Sequence, residues 1–321
     1  MTTDNKPKLL VLLGPTAIGK TALSLEIASH FGAEIISGDS MQVYRGMDIG
    51  TAKIRPEEMR GIPHHLIDIH EPEEPYSVAE FQEQAGALIQ EIGNRGKLPF
   101  IVGGTGLYIE SLCYGFQFSA APADEAFRAE QEAYAEMHGA QALHDRLAAV
   151  DPDSARRLHP NDRRRIIRAL EIQHLTKTTL SESLASQEKQ SPYDLLLIGL
   201  TMDRQMLYNR IEDRIDDMLA AGLVAEVEEL LRRGCHRGLV SMQGLGYKEI
   251  AAYLEGEMTY EEAVTLLKRD TRRFAKRQLS WFRHMKDIRW VDVGGHPNFS
   301  ENFAKIRDII AGKFLPGLEY T

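Results

Sequence analysis

Short unbroken apolar runs alternate along the chain with stretches whose apolar residues recur every three or four positions. Leu9–Leu13 is the first run, of a length and branching suited to a strand buried on both faces of a parallel sheet. Helical spacing follows directly, with Ala22, Leu25 and Ala28 beside Leu23, Ile27 and Phe31. A second short strand is expected at Ala33–Ser37. After a surface excursion through MDIGTAK and the Pro-containing RPEEMRGIPHHLIDIHEP, a third is expected at His65–Ile69. Tyr76–Asn94 has a helical stripe of Val78, Phe81, Ala85, Leu88 and Ile92. A turn at Arg95–Lys97 then leads into a fourth strand, Leu98–Val102. Such alternation predicts an α/β fold, a doubly wound parallel sheet flanked by helices.

From about Phe118 the pattern changes. Residues 118–191 contain no strand-like run and read as polar, charged helices, which predicts an all-helical domain inserted into a core of residues 1–117 and 192–321. Tyr193–Leu200 returns the chain to the sheet. A long helix is expected through DRQMLYNRIEDRIDDMLAAGLVAEVEELL, with Leu207, Ile211, Ile215, Met218 and Leu219 as its stripe. A glycine-spaced polar loop, Ser241–Glu249, follows. Next comes a basic helix, then a strand-like RWVDV and a final amphipathic helix.

The chain has 321 residues, which allows one large α/β domain or a core with a second, smaller one. Cys113 and Cys235 are too few for a disulfide framework or a cysteine-based zinc site. The polar start MTTDNKPK lacks a signal-peptide pattern, and no apolar run approaches a membrane span. We therefore expect a cytoplasmic monomer with no membrane partner. The net charge of −9 weighs mildly against nucleic acid as a partner, but local clusters decide binding.

Two such clusters are present. One is Arg163, Arg164, Arg165 and Arg168, in the helical insertion. The other is Lys268–Arg289, with nine Lys/Arg against two acids; its pairs 268/269, 272/273 and 276/277 recur every four residues and share a helix face. A basic stripe without compensating acids fits a nucleic-acid backbone. A solvated helix surface is the plainer alternative for both.

The most specific chemistry lies after the first strand. Gly14-Pro15-Thr16-Ala17-Ile18-Gly19-Lys20-Thr21 fits G-x-x-x-x-G-K-[ST] between a strand and a helix. The glycines let backbone N–H groups curl around anionic oxygens, and the helix N-terminus adds its positive end. Lys20 supplies a point charge, and Thr21 a hydroxyl where a phosphate-bound Mg²⁺ would sit. A polyphosphate ligand follows. Asp39, closing the second strand, and Thr105, in a glycine-rich turn after the fourth, both fall at the carboxyl edge of a parallel sheet, where α/β proteins bind ligands. As plain structure, each could equally be a turn or cap residue. Arg204, Arg210 or Arg214 could reach the phosphates from across the site. His64-His65 has no further ligands at metal-site spacing.

Taken in order, GPTAIGKT, SGDSMQVYRGMDIGTAK, IVGGTGLY, HPNDRRRIIRALE, LYNRIEDRIDDMLAAGL, GLGYKE and TRRFAKRQLSWFR span nearly the whole chain. This set resembles the bacterial tRNA dimethylallyltransferase (isopentenyltransferase) family. The resemblance implies a P-loop NTPase-like core that transfers a dimethylallyl group from dimethylallyl diphosphate to N6 of adenosine 37, in tRNAs reading codons that begin with U. It implies Asp39 as general base, Thr105 as the residue steadying the reacting groups, and Arg214, or Arg210 one turn earlier, as the diphosphate-facing arginine. Asp39, Ser40, Met41 and Gln42 would read the flipped base with Thr105. The insertion and the basic helix would grip the anticodon stem-loop through Arg128, Arg163, Arg164, Arg165, Arg168, Lys276, Arg277 and Arg283. Two departures stand out: Ile18 replaces the serine usual in the family loop, and the chain has too few cysteines for the zinc finger of eukaryotic members. A small-molecule kinase would need no basic helix, and a noncatalytic RNA-binding protein no Asp39 or Thr105 beside a phosphate loop.

Overall fold

A computed structural model describes residues 6–118, 124–185, 187, 190–294 and 299–315. The chain divides into two compact units, Met1–Tyr114 with Ser191–Thr321, and Gly115–Gln190.

The first unit is built on a six-stranded parallel sheet. In chain order the strands are β1 (Lys8–Leu13), β2 (Ala33–Gly38), β3 (His64–His65), β4 (Leu98–Gly103), β5 (Asp194–Thr201) and β6 (Ile288–Asp292), and in space they lie 3-2-4-1-5-6. β1 is central, pairing Leu13 with Gly103 on one side and with Gly199 on the other. Leu9–Leu13 are fully buried, as a strand covered by helices on both faces requires. Helix α1 (Lys20–Phe31) follows β1, and α2 (Val78–Asn94) follows the excursion. α2 starts where Ser77 and Glu80 cap each other's backbone N–H groups. The short α3 (Gly106–Tyr114) leaves β4.

The second unit packs α4 (Glu125–His138), α5 (Ala140–Val150), α6 (Pro152–Arg157), α7 (Arg163–Thr176) and α8 (Leu180–Ala185) around a core of its own, including Leu143, Leu147, Ile166 and Leu170. No strand occurs among its described residues.

Two elements differ from expectation. The third strand stops after His65, because Leu66 and Asp68 adopt left-handed φ of 60° and 53°. The Asp68 and Ile69 amides donate instead to Gln42 O and Val43 O, so this segment packs on the loop after β2 rather than extending the sheet. The long helix is broken. α9 (Arg204–Ala220) ends before Gly222, whose φ of 104° starts a new helix, α10 (Leu223–Arg232). Beyond α10, the glycine-spaced loop leads into α11 (Tyr247–Leu254), then α12 (Tyr260–His284) and α13 (Phe299–Phe314). Among the described residues no helix is long and apolar enough to cross a membrane.

Candidate active site

The site forms where β1, β2 and β4 end. Ala17 and Gly19 of the loop after β1 take left-handed φ of 63° and 100°, curling it over the N-terminus of α1. Lys20 turns back into it, donating to Gly14 O at 2.9 Å and Pro15 O at 2.7 Å. Burial, together with the nearby Arg214 guanidinium, lowers the Lys20 pKa to about 7, while Asp39 works in the opposite direction. Ile18 is buried and belongs to the core, so its side chain serves packing where a serine would offer a hydroxyl. Thr21, in the first turn of α1, is exposed.

β2 and β4 end side by side, with Gly38 opposite Gly103. A Cβ on Gly103 would collide with the Gly38 backbone, so the two glycines let the strand ends close. The Thr105 amide donates to Gly38 O at 3.3 Å, and Thr105 Oγ1 accepts from the Ser40 amide at 3.2 Å. Asp39 and Thr105, distant in sequence, are thereby brought to the rim of one cavity. Asp39 Oδ1 accepts from the amides of Met41 (2.8 Å) and Gln42 (3.3 Å), which fixes the carboxylate in a tight turn. The Gln42 side chain is committed within the protein: its Oε1 accepts from Ser37 Oγ at 3.1 Å and its Nε2 donates to Thr51 O at 3.2 Å.

From the other side α9 presents two of the three candidate arginines; Arg204 lines neither cavity and donates to Tyr208 Oη at 2.9 Å. Arg210 and Arg214 line a cavity of about 490 Å³ over the loop, with Lys20, Thr21, Asp213 and Asp217. Arg214 also lines an adjoining cavity of about 280 Å³, whereas Arg210 does not. Burial works against the Arg214 charge, and Asp39 partly restores it. The second cavity has an apolar wall of Ile211, Ile215 and Met218 from α9, Leu245 from the loop before α11, and Leu267 and Phe274 from α12. Sequence reasoning missed this wall. Its residues sit at ordinary core spacing, and only their facing Asp39, Thr105 and Arg214 across a cavity sets them apart.

The excursion MDIGTAK is tied down by a residue that no motif singled out. The Glu226 carboxylate of α10 accepts from the amides of Asp48, Ile49 and Gly50, at 3.0, 2.8 and 3.1 Å. It also accepts from Tyr247 Oη at 2.6 Å, and a Cβ on Gly50 would come within 2.5 Å of the Tyr247 ring. Thr51, next in sequence, lines both cavities.

The basic helix is less bare than its composition suggests. Lys268 pairs with Asp216 at 2.6 Å and Arg272 with Glu212, both acids on α9, while Arg269 and Arg273 share Asp270. The compensating acids were missing only from the local sequence. Lys276, Arg277 and Arg283 remain exposed and form no salt bridge among the described residues; the Arg277 guanidinium lies 5.9 Å from the Phe274 ring centroid. The same helix supplies Gln278, whose amide reaches into the site between two backbone segments. Glycine-rich IVGGTGLY also takes its spacing from α12. Cβ atoms on Gly104 and Gly106 would meet Gln278 and Trp281, so these glycines admit the helix.

In the inserted unit, Arg128 Nε and Nη2 donate to the buried Glu171 at 2.8 and 3.0 Å, and Arg168 joins the same carboxylate. Both arginines therefore hold this unit together. Arg164 and Arg165 are exposed, Arg165 lies 3.8 Å from Asp162, and Arg163 is half-buried at the start of α7. Among the described residues no group of three or more His, Cys, Asp or Glu could hold a metal ion. His65 instead bonds the Glu34 carboxylate at 2.9 Å.

The IPP transferase family model matches residues 42–285. A tRNA dimethylallyltransferase of Bacillus licheniformis is 54% identical over 96% of this chain and 98% of its own length. One of Symbiobacterium thermophilum is 56% identical over 90% and 91%. Among solved structures, the full-length tRNA isopentenylpyrophosphate transferase of Bacillus halodurans matches at a TM-score of 0.73 with 51% identity, covering 96% of this chain and 97% of that one. A eukaryotic dimethylallyltransferase acting on tRNA matches at 0.83 with 29% identity, over 98% of this chain and 81% of that one.

Proposed function

The chain belongs to the IPP transferase family, and from that premise we propose that it is a tRNA dimethylallyltransferase. It takes the dimethylallyl group of dimethylallyl diphosphate to N6 of adenosine 37, beside the anticodon of tRNAs that read codons beginning with U, and releases diphosphate. The observation that supports this most directly is the joined pair of cavities. One lies over the phosphate loop, ringed by Lys20 and by Arg210 and Arg214 of α9, and the other has an apolar wall, with Asp39 and Arg214 where they meet. A charged diphosphate and a five-carbon apolar tail need that pairing.

The allylic C1–O bond breaks as N6 bonds to C1, so negative charge grows on the leaving diphosphate. Lys20, the loop amides and Arg214 neutralise that charge where it develops. Ile211, Ile215, Met218 and Phe274 keep water from the allylic carbon, which would otherwise be hydrolysed. Asp39, held by the Met41 and Gln42 amides, accepts or orients the N6 proton. Because a carboxylate is a weak base at neutral pH, the proton leaves as the C–N bond forms. Thr105 and Ser40 steady the exocyclic amine beside it.

Mg²⁺ fits as an ion carried on the diphosphate. Among the described residues the protein offers it the exposed Thr21 hydroxyl and no cluster of three or more His, Cys, Asp or Glu, which suits a cation that keeps water and phosphate ligands. When bound there, Mg²⁺ supplies further charge neutralisation for the leaving group.

Adenine must leave its stack to reach Asp39. Met41 and Gln42 then face it, Gln42 on release from Thr51. Lys276, Arg277 and Arg283, and on the insertion Arg163, Arg164 and Arg165, meet the stem-loop phosphates, while Arg128 and Arg168 support that unit through Glu171. The test is incubation with Mg²⁺, labelled dimethylallyl diphosphate and unmodified tRNA, with ATP and AMP in parallel tubes. Label on tRNA without ATP is expected. Label on AMP alone, or phosphoryl transfer from ATP without prenylation, would overturn the reading.

A further inference from the structure

Gln278 sits on α12 among exposed cations, yet it is 7% exposed. Both ends of its amide are used by backbone. Oε1 accepts from the Thr16 amide at 3.0 Å, and Nε2 donates to Gly104 O at 2.9 Å. One partner is in the phosphate loop, the other next to Thr105. The two bonds demand an acceptor and a donor a fixed distance apart, which a carboxamide supplies at any pH without a change of charge.

Those segments are neighbours already. β1 and β4 end in register at Leu13 and Gly103, and past that point the ladder stops. Gln278 continues the link beyond the strand ends, where the backbones diverge toward their separate tasks. Thr16 and Ala17 line both cavities, and Thr105 lines the apolar one. A shift of Thr16 relative to Gly104 would move the phosphate-holding loop relative to the Thr105 and Ser40 hydroxyls. Transfer reactions lose rate steeply for displacements of about 1 Å.

We propose that Gln278 is a positioning residue for the donor: it sets the spacing between the phosphate loop and the Thr105 turn, so that C1 of the prenyl diphosphate meets the acceptor. This rests on the cavities being the prenyl-donor site. Gln278 lines the phosphate cavity, but both polar atoms of its amide are already bonded to backbone, so it acts through Thr16 and Gly104. The sequence offers a second handle on the same contact. A methyl on Gly104 would land on the Gln278 amide, with Gly14 O the next atom at 3.3 Å.

The experiment compares wild type, Gln278→Ala, Gly104→Ala and the double variant. Three readouts are taken: the KM for dimethylallyl diphosphate, the KM for tRNA, and the Kd for inorganic pyrophosphate by calorimetry. Each single change is expected to raise the donor KM and the pyrophosphate Kd about tenfold, the loss of two modest hydrogen bonds, with the tRNA KM within about twofold of wild type. The double variant should be no weaker than the weaker single, because removing Gln278 clears most of the space the new methyl needs. Gln278→Glu keeps shape and acceptor but loses the donor to Gly104, and carries the same expectation should the alanine variant fail to fold. Unchanged donor KM and pyrophosphate Kd would overturn the proposal. So would equal losses for donor and tRNA, the mark of a merely structural role, or multiplicative losses in the double variant. If wild type binds pyrophosphate but prenylates no tRNA, the functional reading fails, and the pyrophosphate arm still decides the role of Gln278.

Discussion

Lys20 carries the electrostatic difficulty of the phosphate loop. With its pKa near 7, it is largely neutral in the empty protein above neutral pH, yet a diphosphate needs it charged. Donor binding must then take up a proton, and affinity must weaken as pH rises above 7. At pH 8, calorimetry of dimethylallyl diphosphate in two buffers of different ionisation enthalpy should show uptake of about one proton by wild type. Lys20→Met should show none; equal uptake by the two proteins would place the titrating group elsewhere. Asp39 is predicted to separate binding from chemistry. Asp39→Ala should retain tRNA binding and lose transfer by about a hundredfold or more, the usual span of general-base contributions. Loss of tRNA binding with a normal rate at saturating tRNA would mean that this carboxylate recognises RNA and takes no part in proton transfer. Lys20 was legible in sequence because phosphate chemistry demands fixed types at fixed spacing; Asp39 by its position could equally be a turn residue, and its role came only from the family resemblance. An arginine reaching over from the α9 segment was expected too, but which one borders both cavities depends on where α9 packs.

At the scale of elements, hydrophobic period located every buried strand but could not see how segments are stapled across long sequence distances. The third strand shows the limit: HLIDI has strand-like alternation, but left-handed Leu66 and Asp68 send the backbone to Gln42 and Val43 instead. α12 shows another, since its Lys268 and Arg272 are paired by Asp216 and Glu212 of α9, fifty or more residues away in the chain. Glu226 is the clearest staple. Its carboxylate satisfies three consecutive amides and the Tyr247 hydroxyl. Glu226→Ala should leave those donors unpaired and cost about 2–3 kcal/mol, read as a lower urea midpoint together with weaker donor binding through Thr51. A midpoint equal to wild type would show that water replaces the carboxylate without cost.

For the whole molecule, a net charge of −9 coexists with a nucleic-acid substrate because charge is arranged locally. On α12, Lys268 and Arg272 pair with α9 acids and Arg269 and Arg273 with Asp270 of their own helix, which leaves Lys276, Arg277 and Arg283 to meet phosphate. Lys276→Ala with Arg283→Ala should weaken tRNA binding and reduce the slope of log K against log salt by about 1.5–2, with pyrophosphate binding unaltered. An unchanged slope would move the RNA contact off this face. The inserted unit was legible as a loss of strand pattern, whereas the burial of Glu171 beneath Arg128 and Arg168 was not, since a basic cluster looks the same in sequence whether it faces solvent or an internal acid. All of this converges on a prenyl donor lying between a phosphate loop and an adenine amine. The most direct measurement is mass spectrometry of tRNA digested after incubation with dimethylallyl diphosphate and Mg²⁺ alone. One adenosine, beside the anticodon, is expected to carry a single five-carbon unit on N6. Unmodified tRNA, or the five-carbon unit on another base or position, would contradict it.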